Sequence, residues 1–341
     1  MTETLTLLVA MDEALLRITG TGGSWKVDAK FQGKSPQAIA CDPSNPSVVY
    51  CGTFGQGLWR SNDAGETWNR VSAGSVKPEV MSVSISRSEL AGKLGVVYAG
   101  TEPSAIFRSK DGGETWEEMK ELTRLPSSNS WSFPPRPQTH HVRWISTNPS
   151  AAGHLYVCIE AGALVRSFDG GETWKDRVRG GPYDTHTLGV HPQAPGRLYS
   201  SAGDGYFESD NGGDSWKRIE QGLRHRYLYG LAIDSHDQDL ILVSASSSPF
   251  SAHHSTDAES FIYRKEGQNE WNEVTRGLDD PSGTIISSLA ASPSNKGEFF
   301  AANNRGVYQS QDSGITWKRL EIPWSKSYLV QHAWSICVLQ D

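Results

Sequence analysis

The residues able to do chemistry in this chain stand in short pairs. His141 and Arg143 share the run His-His-Val-Arg, Asp184 and His186 flank a threonine, Arg226 precedes Tyr227 and Tyr229, and His332 lies two residues before Trp334. Imidazole together with carboxylate suits a divalent transition metal, Zn, Mn or Fe. An open coordination position on such an ion would activate water or polarise a substrate oxygen. The expected ligand set is His141, His186 and His332 with Glu79 and Asp184, although no local HExxH-like spacing supports it. The same residues also suit metal-free chemistry. His141, His186, His332 and Tyr227 would then be the acid–base groups of a hydrolysis or β-elimination. Arg143 and Arg226 would hold an anionic substrate. Tyr229, Trp334, Trp131 and Asp204 complete the expected substrate contacts, the aromatic rings stacking on a sugar or another ring. A third option is a ligand bound without turnover. All three remain open at the level of sequence, and no nucleotide cofactor is expected.

A repeat positions these pairs. The octet Ser109 to Trp116 reads SKDGGETW, and close copies end in Trp68, Trp174, Trp216 and Trp317, with decayed ones ending in Trp25 and Trp271. The steps between the seven tryptophans are 43, 48, 58, 42, 55 and 46 residues, a period that signals a repeat architecture. Within each box an Asp or Asn can accept backbone N–H groups, Ser and Thr can add local hydrogen bonds, and Trp supplies a buried anchor. The boxes carry the scaffold rather than the chemistry.

Each repeat reads as four short strands, a to d, with the box at the c–d turn. In the second unit, strand a is at 37–41, b at 48–52, c at 57–61 and d at 67–71. The first unit lacks its own strand a, and residues 334–339 resemble one. The expectation is an all-β, seven-bladed β-propeller of four-stranded antiparallel blades, spanning 1–341 as one domain, closed by a C-terminal strand that completes the N-terminal blade. Two segments break the spacing: 120–140, a d–a connection, and 246–259, a b–c connection. Both belong to the face opposite the boxes, where the pairs entering strand a would ring the mouth of the central channel. Nearby b–c turns add Glu102, Glu160, Asp204, Asn303 and Asn304, and the second insertion adds His253 and His254. Convergent polar groups beside insertions form the default site.

The five boxes resemble the Asp-box (BNR) repeats of sialidases, oligoxyloglucan-type glycosidases and sortilin-type propellers. The resemblance covers nearly the whole chain and implies the blade fold, not an activity, because such propellers host enzymes, receptors and assembly factors. A sialidase-like glycoside hydrolase would imply three arginines on a substrate carboxylate and a tyrosine nucleophile. Arg136, Arg143, Arg226 and Arg305 are available, with Tyr227 and Tyr229, but seven blades stand in place of six.

The net charge of −7, from 32 Lys and Arg against 39 Asp and Glu, argues against nucleic acid or an anionic membrane as partner. The start lacks a basic n-region and no long apolar run follows, so neither a signal peptide nor a membrane span is expected. Cys41, Cys51, Cys158 and Cys337 stand alone in apolar runs, which suggests reduced, buried thiols and a cytoplasmic location. The leading expectation is a hydrolase or lyase acting on a small molecule or sugar at the channel mouth. The alternatives are a ligand-binding or assembly scaffold, compatible with a protein partner, and a sialidase-like enzyme.

Overall fold

Seven antiparallel sheets follow one another along the chain in the computed structural model, which describes residues 5–21, 23–71 and 74–339. The order within a sheet is the order of the sequence, with one exception. The first sheet runs Ala333–Leu339, Leu5–Met11, Leu15–Thr21, Ser24–Lys30, so the C-terminal strand supplies the missing strand a. Its register pairs Thr6 with Leu339 and Val9 with Ile336. The chain is a seven-bladed β-propeller closed as its sequence suggested. It packs as two compact units, Met1–Pro36 with Ile219–Asp341, and Gln37–Arg218.

The box turns explain why strand d is short. Ser109 Oγ donates to Asp111 Oδ1 at 2.8 Å and accepts from Gly113 N at 2.8 Å. Asp111 then accepts both the N–H and the hydroxyl of Thr115, and Trp116 Nε1 donates to Gly113 O. The Thr and Trp are used up by the turn, so the pairing part of strand d shrinks to Glu117–Glu118, and likewise to Asn69–Arg70 and Lys217–Arg218. In the fourth blade only the Arg166–Lys175 bridge remains, so that sheet has three full strands. Gly113 must be glycine, because its φ is +96° and a Cβ would meet Val71 at 3.2 Å.

An arginine of strand c then crosses to the next box. Arg60, Arg108 and Arg166 each donate through Nη1 to the carbonyl of Gly112, Gly170 and Gly212 respectively, all at 2.9 Å. Arg264 does the same to Ser313 O. These bonds satisfy carbonyls of the turn that no strand pairs.

The insertions fold locally. Residues 120–140 form two 3₁₀ turns, Lys120–Arg124 and Pro126–Ser130, whose Leu122 and Leu125 enter the apolar core of that unit. Residues 246–259 contain the helix Pro249–His253, capped by Ser248. No helix of the described residues is long and apolar enough to cross a membrane. Cys51 and Cys158 are buried, and Cys41 and Cys337 half-buried.

Candidate functional site

A β-bulge places each of the singled-out second residues. Between Val142 and Trp144 the register shifts against strand Leu155–Ile159, leaving Arg143 outside the ladder. The same happens at His186, between Thr185 and Thr187. It recurs at Met81, at Tyr229 with Gly230, and at Trp334. A bulge bends the strand and re-aims a side chain, and it leaves Arg143 and His186 outside the ladder at the entry of their strands. Within a blade the b–c turn meets the entry of its own strand a: Glu160 N donates to His141 O at 3.3 Å, and Gly203 N to Asp184 O at 2.8 Å. In the unit Gln37–Arg218 it also meets the strand-a entry of the next blade: Ser104 N donates to His140 O at 2.9 Å, and Gly162 N to Tyr183 O at 3.2 Å.

In the unit Gln37–Arg218 these contacts assemble a buried charged cluster. His141, 2% exposed at its side chain, lies between two carboxylates: Nε2 is 2.8 Å from Glu160 Oε2, and Nδ1 is 3.4 Å from Glu102 Oε2. Arg136, from the first insertion, grips Glu102 through Nε at 3.0 Å and Nη2 at 2.6 Å. Arg143 Nε is 3.5 Å from Glu160. On the other side of Glu160, His186 Nε2 is 3.9 Å from Oε1 and 3.7 Å from Asp184 Oδ2. Asp184 is itself held by the Ala161 N–H, at 2.8 Å. Phe133 closes the cluster, its ring edge-on to His141 at 4.7 Å.

Charge sorts the carboxylates. Burial alone would raise all of them. For Glu102, the bonds from His141 and Arg136 outweigh burial and bring it to about 2. Glu160 falls well below the usual range despite its burial, because His141, His186 and Arg143 surround it. In Asp184 burial wins, helped by the charges of Glu160 and Asp204, and its carboxyl is raised. Burial would lower His141, but Glu160 and Glu102 outweigh it and raise the ring above its ordinary value. One carboxylate is thus held low beside another pushed up.

The remaining expected residues have other surroundings. His332 belongs to the other unit, where its ring stacks on Trp334 at 4.1 Å and on His253 at 5.0 Å. Tyr227 Oη is 2.8 Å from His253 Nε2, and Tyr229 meets both imidazoles edge-on. Asp12 accepts from His332 N and Trp334 Nε1. The structure thus assigns His141 and His186 to one packed group and His332 to another. The other expected residues stand as follows. Trp131 is a core residue, 5% exposed, with Nε1 on Ser127 Oγ. Arg226 is an exposed side chain 3.8 Å from Glu220. Arg143 faces Glu160 rather than an open anion site. Asp204 accepts the N–H groups of Tyr183 and Asp184 and so braces the turn. Glu79 contributes its carbonyl, to Glu102 N at 2.9 Å. Beside Asp184, the carboxylates of the cluster come from Glu102 and Glu160. The signal for them is an acidic residue directly after strand b in successive blades.

Among the described residues, one group of metal-type ligands emerges, Glu160, Asp184 and His186, with their ligand atoms within 4.8 Å of one another. His141 and Arg143 already supply positive charge to Glu160, which disfavours adding a dication there.

These features define a class: a propeller of box repeats with a buried charged cluster where b–c turns meet strand-a entries. The family model of the photosynthesis system II assembly factor YCF48 matches residues 36–327, and the chain belongs to that family. A solved structure of YCF48 bound to D1 peptide aligns with a TM-score of 0.58 at 16% identity, over 90% of this chain and 93% of that one. An ancestral GH74 enzyme aligns with a TM-score of 0.63 at 17% identity, over 86% of this chain and 39% of that one. Xyloglucanase Xgh74A of Acetivibrio thermocellus is 39% identical over 67 residues, 17% of this chain and 8% of that protein. The chain therefore spans under a tenth of that curated relative's length.

Proposed function

We propose that the chain is a glycoside-directed hydrolase using Glu160 and Asp184 as an acid–base pair. The observation that carries this reading is the opposite displacement of two carboxyls whose oxygens lie within 4.8 Å. Glycoside hydrolysis needs that pairing: one carboxyl protonates the leaving oxygen, and the other, ionised, acts as base or nucleophile. Asp184 gives its proton to the leaving-group oxygen as the glycosidic bond breaks. Glu160 attacks the anomeric carbon, or takes a proton from the attacking water. His141 and Arg143 keep Glu160 ionised, and Glu102 with Arg136 keeps His141 charged. A Zn, Mn or Fe ion on Glu160, Asp184 and His186 is the metal-assisted form of the same proposal, and no step above uses it. The GH74 enzymes among the structural neighbours are consistent with a glycosidase on this scaffold, as is the xyloglucanase segment.

The test is turnover of a panel of p-nitrophenyl glycosides by the purified chain. Glu160→Gln and Asp184→Asn should each lower kcat/KM by roughly 10²–10⁴-fold. Dialysis against EDTA should leave the rate unchanged; a rate lost on EDTA and restored by Mn or Zn selects the metal form. Undiminished turnover in both variants contradicts the proposal.

Family membership favours a second reading, a peptide-binding assembly factor, since a YCF48 has been solved with a D1 peptide. It predicts peptide binding that survives Glu160→Gln, and no glycoside turnover.

A further inference from the structure

The box ending in Trp216 reads SDNGGDSW and differs from its close copies at one telling position. Those copies carry Asp63, Asp111, Asp169 and Asp312 where this one has Asn211, followed by Gly212 as the single Asn-Gly pair of the sequence. Asn211 is exposed. Glycine has no Cβ to shield its nitrogen, so in an open chain Gly212 N can attack the side-chain amide before it. The nitrogen gives its proton to hydroxide and bonds to Asn211 Cγ, and the Cγ–Nδ2 bond breaks with loss of ammonia. Water then opens the resulting succinimide to aspartate or isoaspartate.

The folded box ties down both reacting groups. Asn211 Oδ1 accepts from Ser209 Oγ at 2.9 Å and from Ser215 N at 3.0 Å, while Nδ2 donates to Ser215 Oγ at 2.9 Å. Gly212 N donates to Gly196 O at 2.7 Å, as Gly170 N does to Gly153 O and Ser313 N to Gly297 O in two other boxes. Attack requires the amide to turn back and the Gly212 proton to leave its carbonyl, so both sets of bonds must open first.

The two products fare differently in the box. Thr115 donates its hydroxyl to Asp111, and Thr173 to Asp169. These hydroxyls and the N–H groups of the same threonines hold both carboxyls at about 2. Ser215 can serve an aspartate at 211 in the same way by turning its hydroxyl. Isoaspartate instead lengthens the main chain inside a turn that Arg166 Nη1 grips at Gly212 O and Asp214 Oδ1.

We infer that Asn211 is a deamidation site gated by opening of its own box, with aspartate as the product the box accepts and isoaspartate as the one that disrupts it. The experiment is peptide mapping by mass spectrometry of the full chain, native and in guanidinium chloride, after incubation at about pH 8. Residue 211 of the denatured chain should convert roughly tenfold faster or more, the factor reporting how seldom the native box opens. Ser215→Ala should speed the native chain about fivefold, the worth of one hydrogen bond. Asn211→Asp should melt above the parent at pH 7. Because its folded carboxyl is depressed, that advantage should be lost as pH falls below about 4. Equal rates in the native and denatured chains, no conversion in the denatured chain, an unchanged rate in Ser215→Ala, or an Asn211→Asp chain that melts below the parent at pH 7 overturns the inference.

Discussion

The protonation of His141 is set by a contest between burial, which favours the neutral ring, and two carboxylates that favour the cation. The carboxylates win, and this has a measurable consequence. A histidine whose folded pKa is raised contributes stability that is complete below its unfolded value of about 6.5 and is lost as pH rises through the folded value. Glu102 acts in the opposite sense. Its folded value of about 2 gives stability that is complete above about 4.3 and lost as pH falls. The melting temperature of the parent should therefore exceed that of His141→Gln most clearly between about pH 5 and 6.5, with the gap shrinking at alkaline pH. A gap constant from pH 5 to 9 would show that folding leaves the His141 pKa unshifted, and a gap that widens with rising pH would show a ring held neutral. At this scale the sequence was partly legible. His141, His186 and Asp184 do meet, because repeat alignment put them at equivalent strand entries. Their counter-charges were harder to read, since Glu102, Glu160 and Arg136 come from turns and an insertion whose reach depends on folding. Trp131 misled for the same reason: a tryptophan in an insertion looks like a ligand platform until the insertion is seen to pack on the core.

Strand-entry bulges and box turns are the elements that organise the blade. The bulges at Arg143 and His186 take these residues out of the strand ladder beside the cluster. No residue type announces them, so the pairs were visible in the sequence and the reason for their convergence was not. The boxes were fully legible, because Ser, Asp, Gly, Thr and Trp each have one local job. Less legible was the arginine of strand c, which ties one blade to the next box. Arg108→Leu removes the bond to Gly170 O and leaves that carbonyl unsatisfied. The expected cost is about 2 kcal/mol, a fall of roughly 3 °C in Tm by differential scanning calorimetry. An unchanged Tm would show that water replaces the guanidinium.

The whole molecule depends on its two termini meeting in one sheet. Strand Leu5–Met11 is buried along most of its length and pairs with Ala333–Leu339 on one edge. Deleting residues 333–341 exposes that edge and apolar core beneath it, so the truncated chain should aggregate in size-exclusion chromatography. A monodisperse, fully folded truncation would contradict this account of closure. The same closed scaffold serves binding proteins and enzymes, which is why the fold alone does not select between them. What selects is the folded chain's hold on two carboxyl groups. The most direct measurement is a ¹³C NMR titration of the Glu160 and Asp184 side-chain carboxyls, in the native chain and in the urea-unfolded one. The account predicts that folding moves Asp184 above its unfolded value near 3.9 and Glu160 below its own near 4.3, with both returning in urea. Two carboxyls that titrate together, or in the reverse order, would contradict it.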